Sequence, residues 1–163
     1  MITRITPFLW FDHQAEEAVA FYTSIFPSSK VRSVVRYDAA GAAAAGRPEG
    51  SAMTVDFELD GRPYVALNGG PDYRFTEAVS FQISCADQDE VDRYWDTLVA
   101  DGGEEGPCGW VKDRFGLSWQ VVPAVLPELL TDPDPERANR AMAAMLKMTR
   151  LDIAALRAAA DGA

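Results

Sequence analysis

Few side chains in this sequence could support acid–base, nucleophilic or redox chemistry. His13 is the single histidine and follows Asp12, and the two cysteines, Cys85 and Cys108, lie far apart. A carboxylate beside an imidazole can act as an acid–base pair, but neighbours at the end of a strand point in different directions, and Asp12 is suited to cap the next helix. The thiols match neither a CxxC redox motif nor a zinc motif and are predicted to be packing residues. The sequence therefore identifies no catalytic residue.

Neutral hydrogen-bonding side chains occupy alternate positions in two segments of the second half. They are Ser80, Gln82 and Ser84 in one segment and Ser118 and Gln120 in the other. Because the side chains of a strand alternate between its two faces, each set lies on one face. Such a face could bind a small molecule, or it could simply face water, as one side of many antiparallel sheets does.

Two residues of the first half could add to a binding site. Trp10 lies in a predicted strand and could stack on a ring-shaped ligand, although aromatic residues of strands more often pack in the core. Asn68 precedes Gly69-Gly70 at the end of another strand, where its amide could bind a ligand or form an ordinary Asn-Gly turn. The charged residues 112–114 flank a hairpin and are predicted to form a solvated turn.

These residues must be positioned by strands and helices, and their pattern is repeated. The strand Pro7–Phe11 precedes an amphipathic helix at Gln14–Tyr22, and the same order returns at Ser80–Ser84 and Asp87–Trp95. Further strands are predicted at Lys30–Tyr37, Ala52–Leu59, Pro63–Leu67, Gly109–Lys112 and Leu117–Val122. The Ala- and Gly-rich stretch Asp38–Gly50 is predicted to be a mobile surface loop, with a catalytic lid as the alternative.

Each repeat is too small to bury its own sheet. The sequence therefore predicts an α+β fold in which two βαβββ repeats form an open, cup-shaped mixed sheet with helices outside it. We expect the first repeat at residues 1–70, the second at 71–125 and a C-terminal helical tail at 126–163, all in one structural domain. In the tail, Asp134 and Pro135 are a helix start signal. An apolar helical stripe is predicted at Ala138, Met142, Met145 and Leu146, and a shorter helix around Leu151, Ile153 and Leu156.

Composition excludes several classes of partner. The formal net charge of −10 over 163 residues disfavours nucleic acid and anionic membranes, because binding either requires clustered Lys and Arg. No apolar run approaches the ~20 residues that span a bilayer, and the N-terminus lacks the pattern of a signal peptide. We therefore predict a cytoplasmic protein that binds neither nucleic acid nor membranes.

Three phrases give the chain a family resemblance: TPFLWFDHQAEEAVAFYTSIFP, ALNGGPDYRFTEAVSF and CGWVKDRFGLSWQVVPAVLPELL. They resemble the PhnB-like branch of the vicinal oxygen chelate superfamily, which includes glyoxalase I, bleomycin-resistance proteins and extradiol dioxygenases. Relatives in this branch are often labelled 3-demethylubiquinone-9 3-methyltransferase. The sequence lacks the strand, Gly-rich loop and helix that would hold a nucleotide cofactor, and so does not support that label as an activity.

The resemblance implies where a site would be. Enzymes of the superfamily hold a divalent metal with four side chains, at positions that correspond here to Pro7, Val65, Ser80 and Gln120. A one-residue shift of the first two would bring in their near neighbours Thr6, Ala66, Leu67 and Asn68. None of these is a histidine or a carboxylate, so we predict no metal and no cofactor. With the matched positions facing the cup, an apolar wall of Pro7, Leu9 and Phe11 would oppose a neutral polar wall. The predicted ligand-binding residues are Trp10, Asn68, Ser80, Gln82, Ser84, Ser118 and Gln120.

These features give three hypotheses for function. The leading one is a glyoxalase-like fold protein of unknown specific activity that binds a small uncharged or zwitterionic molecule in the cup without a metal. The resemblance also implies a homodimer. The first alternative is a divalent-metal-dependent lyase, isomerase or dioxygenase with unexpected ligands such as Asp12 or His13. The second is a protein-interaction module that uses the C-terminal helices. Whether the protein is an enzyme stays open at this point.

Overall fold

Residues 5–163 are described by a computed structural model and divide between Arg74 and Phe75 into two units. In each unit a four-stranded mixed sheet has a helix between its first two strands along the chain. The predicted α+β class, with two βαβββ repeats and C-terminal helices, is therefore confirmed. The predicted domain limits at residues 70 and 125, and the joining of the repeats into one cup, stay predictions. No helix within residues 5–163 is long and apolar enough to cross a membrane.

The first unit matches its predicted strands within one residue at each end. Its elements are β1 (Phe8–Phe11), α1 (Ala15–Ile25), β2 (Lys30–Arg36), α2 (Ala39–Ala45), β3 (Ala52–Leu59) and β4 (Arg62–Asn68). The sheet order is β1-β4-β3-β2, with β1 and β4 parallel and the other pairs antiparallel. Two consecutive residues in the left-handed region, Asp60 and Gly61, make the tight turn between β3 and β4.

One face of the first sheet is buried under α1. Asn68 pairs with Phe11 in the β1–β4 register, and the backbone N–H of Ala15 in α1 donates to its Oδ1 (2.8 Å). Leu9 and Phe11 lie on that same face and are 5% and 3% exposed. The prediction that this face lines a pocket is therefore wrong for Leu9 and Phe11, which form core beneath the helix, and stays a prediction for Pro7.

The stretch Asp38–Gly50 is not a structureless loop as predicted. It contains helix α2, which begins where Asp38 Oδ1 accepts from the backbone N–H of Gly41 (2.7 Å). It ends at Gly46, which has a left-handed φ of 63°. Alanine is the strongest helix former, and an Asp start with a Gly end completes a helix signal that outweighs the low sequence complexity.

The second unit begins with β5 and continues to the C-terminus. Its elements are β5 (Ser80–Cys85), α3 (Gln88–Val99), a 3₁₀ turn (Ala100–Gly102), β6 (Glu104–Glu105), β7 (Trp110–Lys112), β8 (Ser118–Pro123), α4 (Leu126–Leu130), α5 (Pro135–Met145) and α6 (Ile153–Asp161). The sheet order is β5-β8-β7-β6, and β5 and β8 are parallel. Strand β6 was not predicted, because two residues carry no readable alternation.

The charged turn between β7 and β8 is not solvated as predicted. Asp113 is 2% exposed, and its Oδ1 accepts from the backbone N–H groups of Phe115 (2.9 Å) and Leu117 (3.1 Å). Its Oδ2 accepts from Trp119 Nε1 (2.8 Å). A buried carboxylate is tolerated only when donors surround it, and this one ties the turn to the following strand.

The C-terminal tail packs within the second unit. Its helices share a core composed of Val122, Leu126, Leu129, Ala141, Leu151, Leu156 and Ala160. The backbone N–H groups of Cys108 and Gly109 donate to the carbonyls of Met148 and Thr149, each at 2.8 Å. The segment after α5 is therefore hydrogen-bonded to the loop before β7.

Helix α5 starts as predicted but buries a different stripe. Asp134 caps it by accepting from the backbone N–H of Glu136, and Pro135 is its first residue. Ala141 is fully buried, whereas Met142 and Leu146 are 40% and 62% exposed. Met142 and Leu146 of the predicted apolar stripe therefore lie outside the core, because the helix turns its small alanine toward α6.

Candidate functional site

The five neutral polar residues of the second half lie on one face of the second sheet. In the parallel pairing of β5 with β8, Ser80 lies beside Ser118 and Gln82 beside Gln120, while Ser84 follows on the same face. Gln120 Nε2 donates to Ser80 Oγ at 2.9 Å. Gln82 and Ser84 are exposed, Ser80 and Gln120 are half-buried, and Ser118 is buried.

A cavity of about 400 Å³ opens at one end of this face. It is lined by Glu77, Glu104, Glu105, Gly106, Pro107, Trp110, Val111, Lys112 and Ser118, all from the second unit. Trp110 and Lys112 share the face of Ser118, because β7 pairs with β8 through Trp110–Gln120 and Lys112–Ser118. Of the predicted ligand-binding residues, only Ser118 lines this cavity.

The hydroxyl of Ser118 is the buried polar group of the cavity. The residue is 1% exposed, and its Oγ hydrogen-bonds to no group within residues 5–163. A buried polar atom without a partner costs about 1–3 kcal/mol, and native proteins leave few such atoms. Ser118 lines the cavity. Its Oγ is closed to solvent in this conformation, so it can anchor an incoming molecule only after a neighbouring side chain moves aside.

The cavity wall also carries an ionic cluster that the sequence prediction missed. Lys112 Nζ lies 2.7 Å from Glu77 Oε1 and 3.5 Å from Glu104 Oε2. The hydrogen bond from Lys112 lowers the pKa of Glu77, and the same contact raises the pKa of Lys112. Alternation along β7 puts Lys112 on the face of Trp110, and that is the signal that could have found it.

The loop between β6 and β7 is held tightly against the cavity. The backbone N–H of Gly106 donates to the carbonyl of Trp110 (2.8 Å), and the Trp110 N–H donates to the carbonyl of Pro107 (3.1 Å). A Cβ on Gly106 would lie 2.9 Å from the Trp110 carbonyl oxygen. On the opposite face, Trp95 Nε1 of α3 donates to Glu105 Oε1 (2.9 Å). These contacts fix the cavity wall before any ligand binds.

The two predicted site residues of the first half have contacts within their own unit. Trp10 Nε1 donates to the Gly70 carbonyl (2.8 Å), and its ring meets that of Tyr73 edge-on with centroids 5.0 Å apart. Asn68 accepts from α1, as described above, and its Nδ2 donates to the Ala52 carbonyl (3.0 Å). Their role in ligand binding stays a prediction, as do the roles of Ser80, Gln82, Ser84 and Gln120.

Asp12 contacts both Arg47 and His13. Asp12 Oδ1 lies 2.9 Å from Arg47 Nη2, and Asp12 Oδ2 lies 3.3 Å from His13 Nδ1. The bond to Arg47 lowers the pKa of Asp12. Asp12 is therefore not the helix cap that was predicted. Helix α1 starts at Ala15. The side chain of its N-cap residue, Gln14, makes no cap bond within the described residues, and Asn68 supplies the oxygen instead.

The residues at the four superfamily metal positions do not fit a divalent cation. Val65 pairs with Phe8, and its N–H donates to the Pro7 carbonyl (3.0 Å). The side chains of Val65 and Pro7 contain no oxygen that could bind a metal. The other two positions form the neutral pair of Ser80 and Gln120. A divalent cation requires carboxylates or imidazoles to replace its hydration shell. Residues 5–163 contain no group of three or more His, Cys, Asp or Glu side chains that could bind a metal.

The glycine pairs do not fit the phosphates of a nucleotide cofactor. Gly69-Gly70 follows β4 with no helix after it, and a Cβ on Gly69 would lie 2.3 Å from the Trp10 ring. Gly102-Gly103 follows α3, and a Cβ on Gly103 would lie 2.3 Å from the carbonyl of Leu98. A phosphate loop needs open backbone N–H groups between a strand and a helix.

Comparison with known proteins gives one family and several similar structures. A family model described as 3-demethylubiquinone-9 3-methyltransferase matches residues 3–122. A PhnB protein from Bacillus cereus, described in the same words, is 32% identical with a TM-score of 0.64, and the alignment covers 75% of this chain and 100% of that chain. None of the curated proteins compared matches the chain.

Two more distant structures resemble the chain in fold alone. A protein from Pseudomonas aeruginosa is 17% identical with a TM-score of 0.58, over 75% of this chain and 98% of that chain. The fosfomycin resistance protein FosX from Listeria monocytogenes is 18% identical with a TM-score of 0.53, over 80% of this chain and 99% of that chain.

Proposed function

The chain belongs to the 3-demethylubiquinone-9 3-methyltransferase family, a PhnB-like branch of the vicinal oxygen chelate superfamily, and we propose that it binds a small molecule in the cavity beside Ser118. Membership gives the fold and no specific activity. The observation that carries the proposal is the buried hydroxyl of Ser118, which lines a cavity of about 400 Å³ and has no partner within residues 5–163. Ligand sites commonly have this volume, with mainly apolar walls and a few polar anchors.

The lining suits an uncharged or zwitterionic ligand. Pro107 and Trp110 supply an apolar surface for the body of the molecule. Ser118 supplies a hydroxyl that can donate or accept one hydrogen bond. The neutral pair of Ser80 and Gln120 continues the same face of the sheet. No metal-dependent step is proposed, because the superfamily metal positions hold no anionic or imidazole ligand.

A paired set of variants tests the proposal. The protein purified without added ligand is examined by native mass spectrometry for a bound small molecule, and a fragment collection is then screened by ligand-observed NMR. We expect an adduct or fragment hits that disappear in Ser118→Val, because the two methyl groups fill the anchor position. Ser24→Ala is the matched control, since Ser24 is exposed on α1 and does not line the cavity. Equal binding by Ser118→Val and the unmodified protein would contradict the proposal.

We also propose that the protein forms a homodimer through α5. The support is the exposure of Met142 (40%) and Leu146 (62%) on one helix, because exposed apolar residues one turn apart are typical of a contact surface. The double variant Met142→Ser, Leu146→Ser would then sediment as a monomer while the unmodified chain sediments as a dimer. Deletion of the tail would be a poorer test, because it removes Leu151 and Leu156 from the core. A dimer unchanged in the double variant would contradict the contact surface.

The same exposed surface supports the second candidate function, a protein-interaction module. A partner protein would bind the unmodified chain through Met142 and Leu146. This binding would be lost in the double variant, and the chain would be monomeric in both forms.

A cytoplasmic location is proposed as well. Cys85 and Cys108 are free thiols, as expected in a reducing compartment, and cell fractionation would test it. Recovery of the protein in a periplasmic or secreted fraction would contradict that location.

A further inference from the structure

The ionic cluster in the cavity wall places both signs of charge within reach of one ligand end. The ammonium of Lys112 lies between the carboxylates of Glu77 and Glu104. The Lys112 side chain is 30% exposed, whereas those of Glu77 and Glu104 are 65% and 71% exposed. The cation is therefore the most enclosed member of the cluster, and the carboxylates lie toward solvent.

The position of Ser118 connects this cluster to the anchor hydroxyl. Ser118 and Lys112 are direct partners in the antiparallel pairing of β7 with β8. Side chains at such positions lie on the same face with Cβ atoms about 5 Å apart. A ligand group that reaches the Ser118 hydroxyl is therefore next to Lys112. Trp110, two residues before Lys112 on the same face, offers its ring to the rest of the ligand.

The charges of the lining select between ligand classes. Two carboxylates, those of Glu77 and Glu104, contact the single ammonium of Lys112 in the cavity wall, whereas the carboxylate of Glu105 accepts from Trp95 on the opposite face. A purely anionic ligand would reach Lys112 only by displacing Glu77 and staying near like charges. A purely cationic ligand would compete with Lys112 for its carboxylates. A molecule that carries an ammonium and a carboxylate on neighbouring atoms can exchange with the Glu77–Lys112 pair and leaves the net charge of the cluster unchanged.

We propose that the ligand is an amino-acid-like zwitterion with an apolar body, an inference that rests on the proposed function. Its carboxylate contacts Lys112, its ammonium contacts Glu77 or Glu104, and its body lies on Trp110. Ser118 donates a hydrogen bond to the carboxylate. On binding, Lys112 and Glu77 exchange their mutual contact for contacts with the charged groups of the ligand. The strands that form the cavity wall stay in place.

Four probes that share a phenyl body test the class. They are L-phenylalanine, 2-phenylethylamine, 3-phenylpropionate and 3-phenylpropan-1-ol, and their affinities are measured by NMR titration at pH 7 and low salt. We expect phenylalanine to bind about tenfold more tightly than the amine or the acid, each of which lacks one charge-assisted contact, and more tightly still than the alcohol, which lacks both. Equal affinities for all four, lost together in Ser118→Val, would overturn the zwitterion and leave the proposed function standing.

Variants of the cluster assign the contacts. Lys112→Met should lower the affinity for phenylalanine about tenfold and leave that for 2-phenylethylamine unchanged or higher. Lys112→Arg should retain most of the affinity for phenylalanine, which distinguishes a lost charge from a damaged fold. Glu136→Gln removes an exposed carboxylate on α5 that does not line the cavity, and is the matched charge control. Thermal melting establishes that each variant is folded.

The remaining outcomes distinguish failure of the zwitterion proposal from failure of the proposed function. Tighter binding of 2-phenylethylamine than of phenylalanine would overturn the zwitterion in favour of a cation. If none of the four binds at millimolar concentration while a Ser118-dependent adduct is present, the zwitterion class is wrong and the proposed function stands. If neither probes nor an adduct bind, both proposals fail.

Discussion

Replacement of Asp113 by asparagine probes the buried carboxylate that holds the turn between β7 and β8. Its two oxygens accept hydrogen bonds from two backbone N–H groups and from Trp119 Nε1. An asparagine amide has one oxygen and one NH₂ group. In either orientation the NH₂ group faces an N–H donor, so at least one buried hydrogen bond is replaced by a donor–donor contact.

The cost follows from this geometry. A hydrogen bond to a charged group contributes about 1.5–3 kcal/mol, and an unsatisfied buried donor costs about 1–3 kcal/mol. Because these two costs overlap, we expect Asp113→Asn to lower the free energy of unfolding by about 2–4 kcal/mol. For a chain of this size that loss corresponds to a fall in Tm of roughly 5–15 °C. Ser118 and Lys112 adjoin the turn, so ligand binding should weaken as well.

Urea denaturation monitored by circular dichroism measures this change in the free energy of unfolding. Asp101→Asn is the control, because the Asp101 side chain is 77% exposed and makes a single ion pair, with Arg114. Asparagine also tolerates the left-handed φ of 57° at this position. We expect the control to change stability by less than about 0.5 kcal/mol. If Asp113→Asn is as stable as the control, the carboxylate does not hold the turn.

Three further predictions address the first helix, the thiols and the cavity cluster. Asn68→Ala should lower the free energy of unfolding by about 2–3 kcal/mol, because α1 loses its oxygen cap and a buried carbonyl loses a donor. Urea denaturation measures this loss, and a loss under about 0.5 kcal/mol would refute the cap. Burial raises the pKa of the Cys85 thiol to about 12, so iodoacetamide at pH 8 should label Cys108 first; peptide mapping that finds Cys85 labelled at the same rate would contradict its burial. The pKa of Glu77 lies below its ordinary value because Lys112 donates to it, so the pair stabilises the fold above the ordinary carboxyl pKa and this contribution is lost as the pH falls through the folded-state pKa. A carboxyl ¹³C titration should show the pKa of Glu77 rise in Lys112→Met, and an unchanged value would mean that the ion pair does not form in solution.

Local pattern alone determined the repeated βαβββ order and most strand bounds. Alternation put Ser80, Gln82 and Ser84 on one face, and the register of β5 with β8 agrees. The start of α5 was equally readable, because Asp134 and Pro135 act within one helical turn. In each case the physical cause lies within a few residues of chain, namely the period of two in a strand and the unpaired N–H groups at a helix start.

Tertiary structure decided which face of each strand is covered. Alternation cannot distinguish the side of Leu9 from the side of Phe8, and only the packing of α1 does so. It also decided that Asn68 caps a helix that starts 53 positions earlier, and that Asp113 is buried. The cavity depends in the same way on the pairing of Lys112 with Ser118 across two strands. Burial and pairing depend on which distant segments meet, and that is set by the packing of the whole unit.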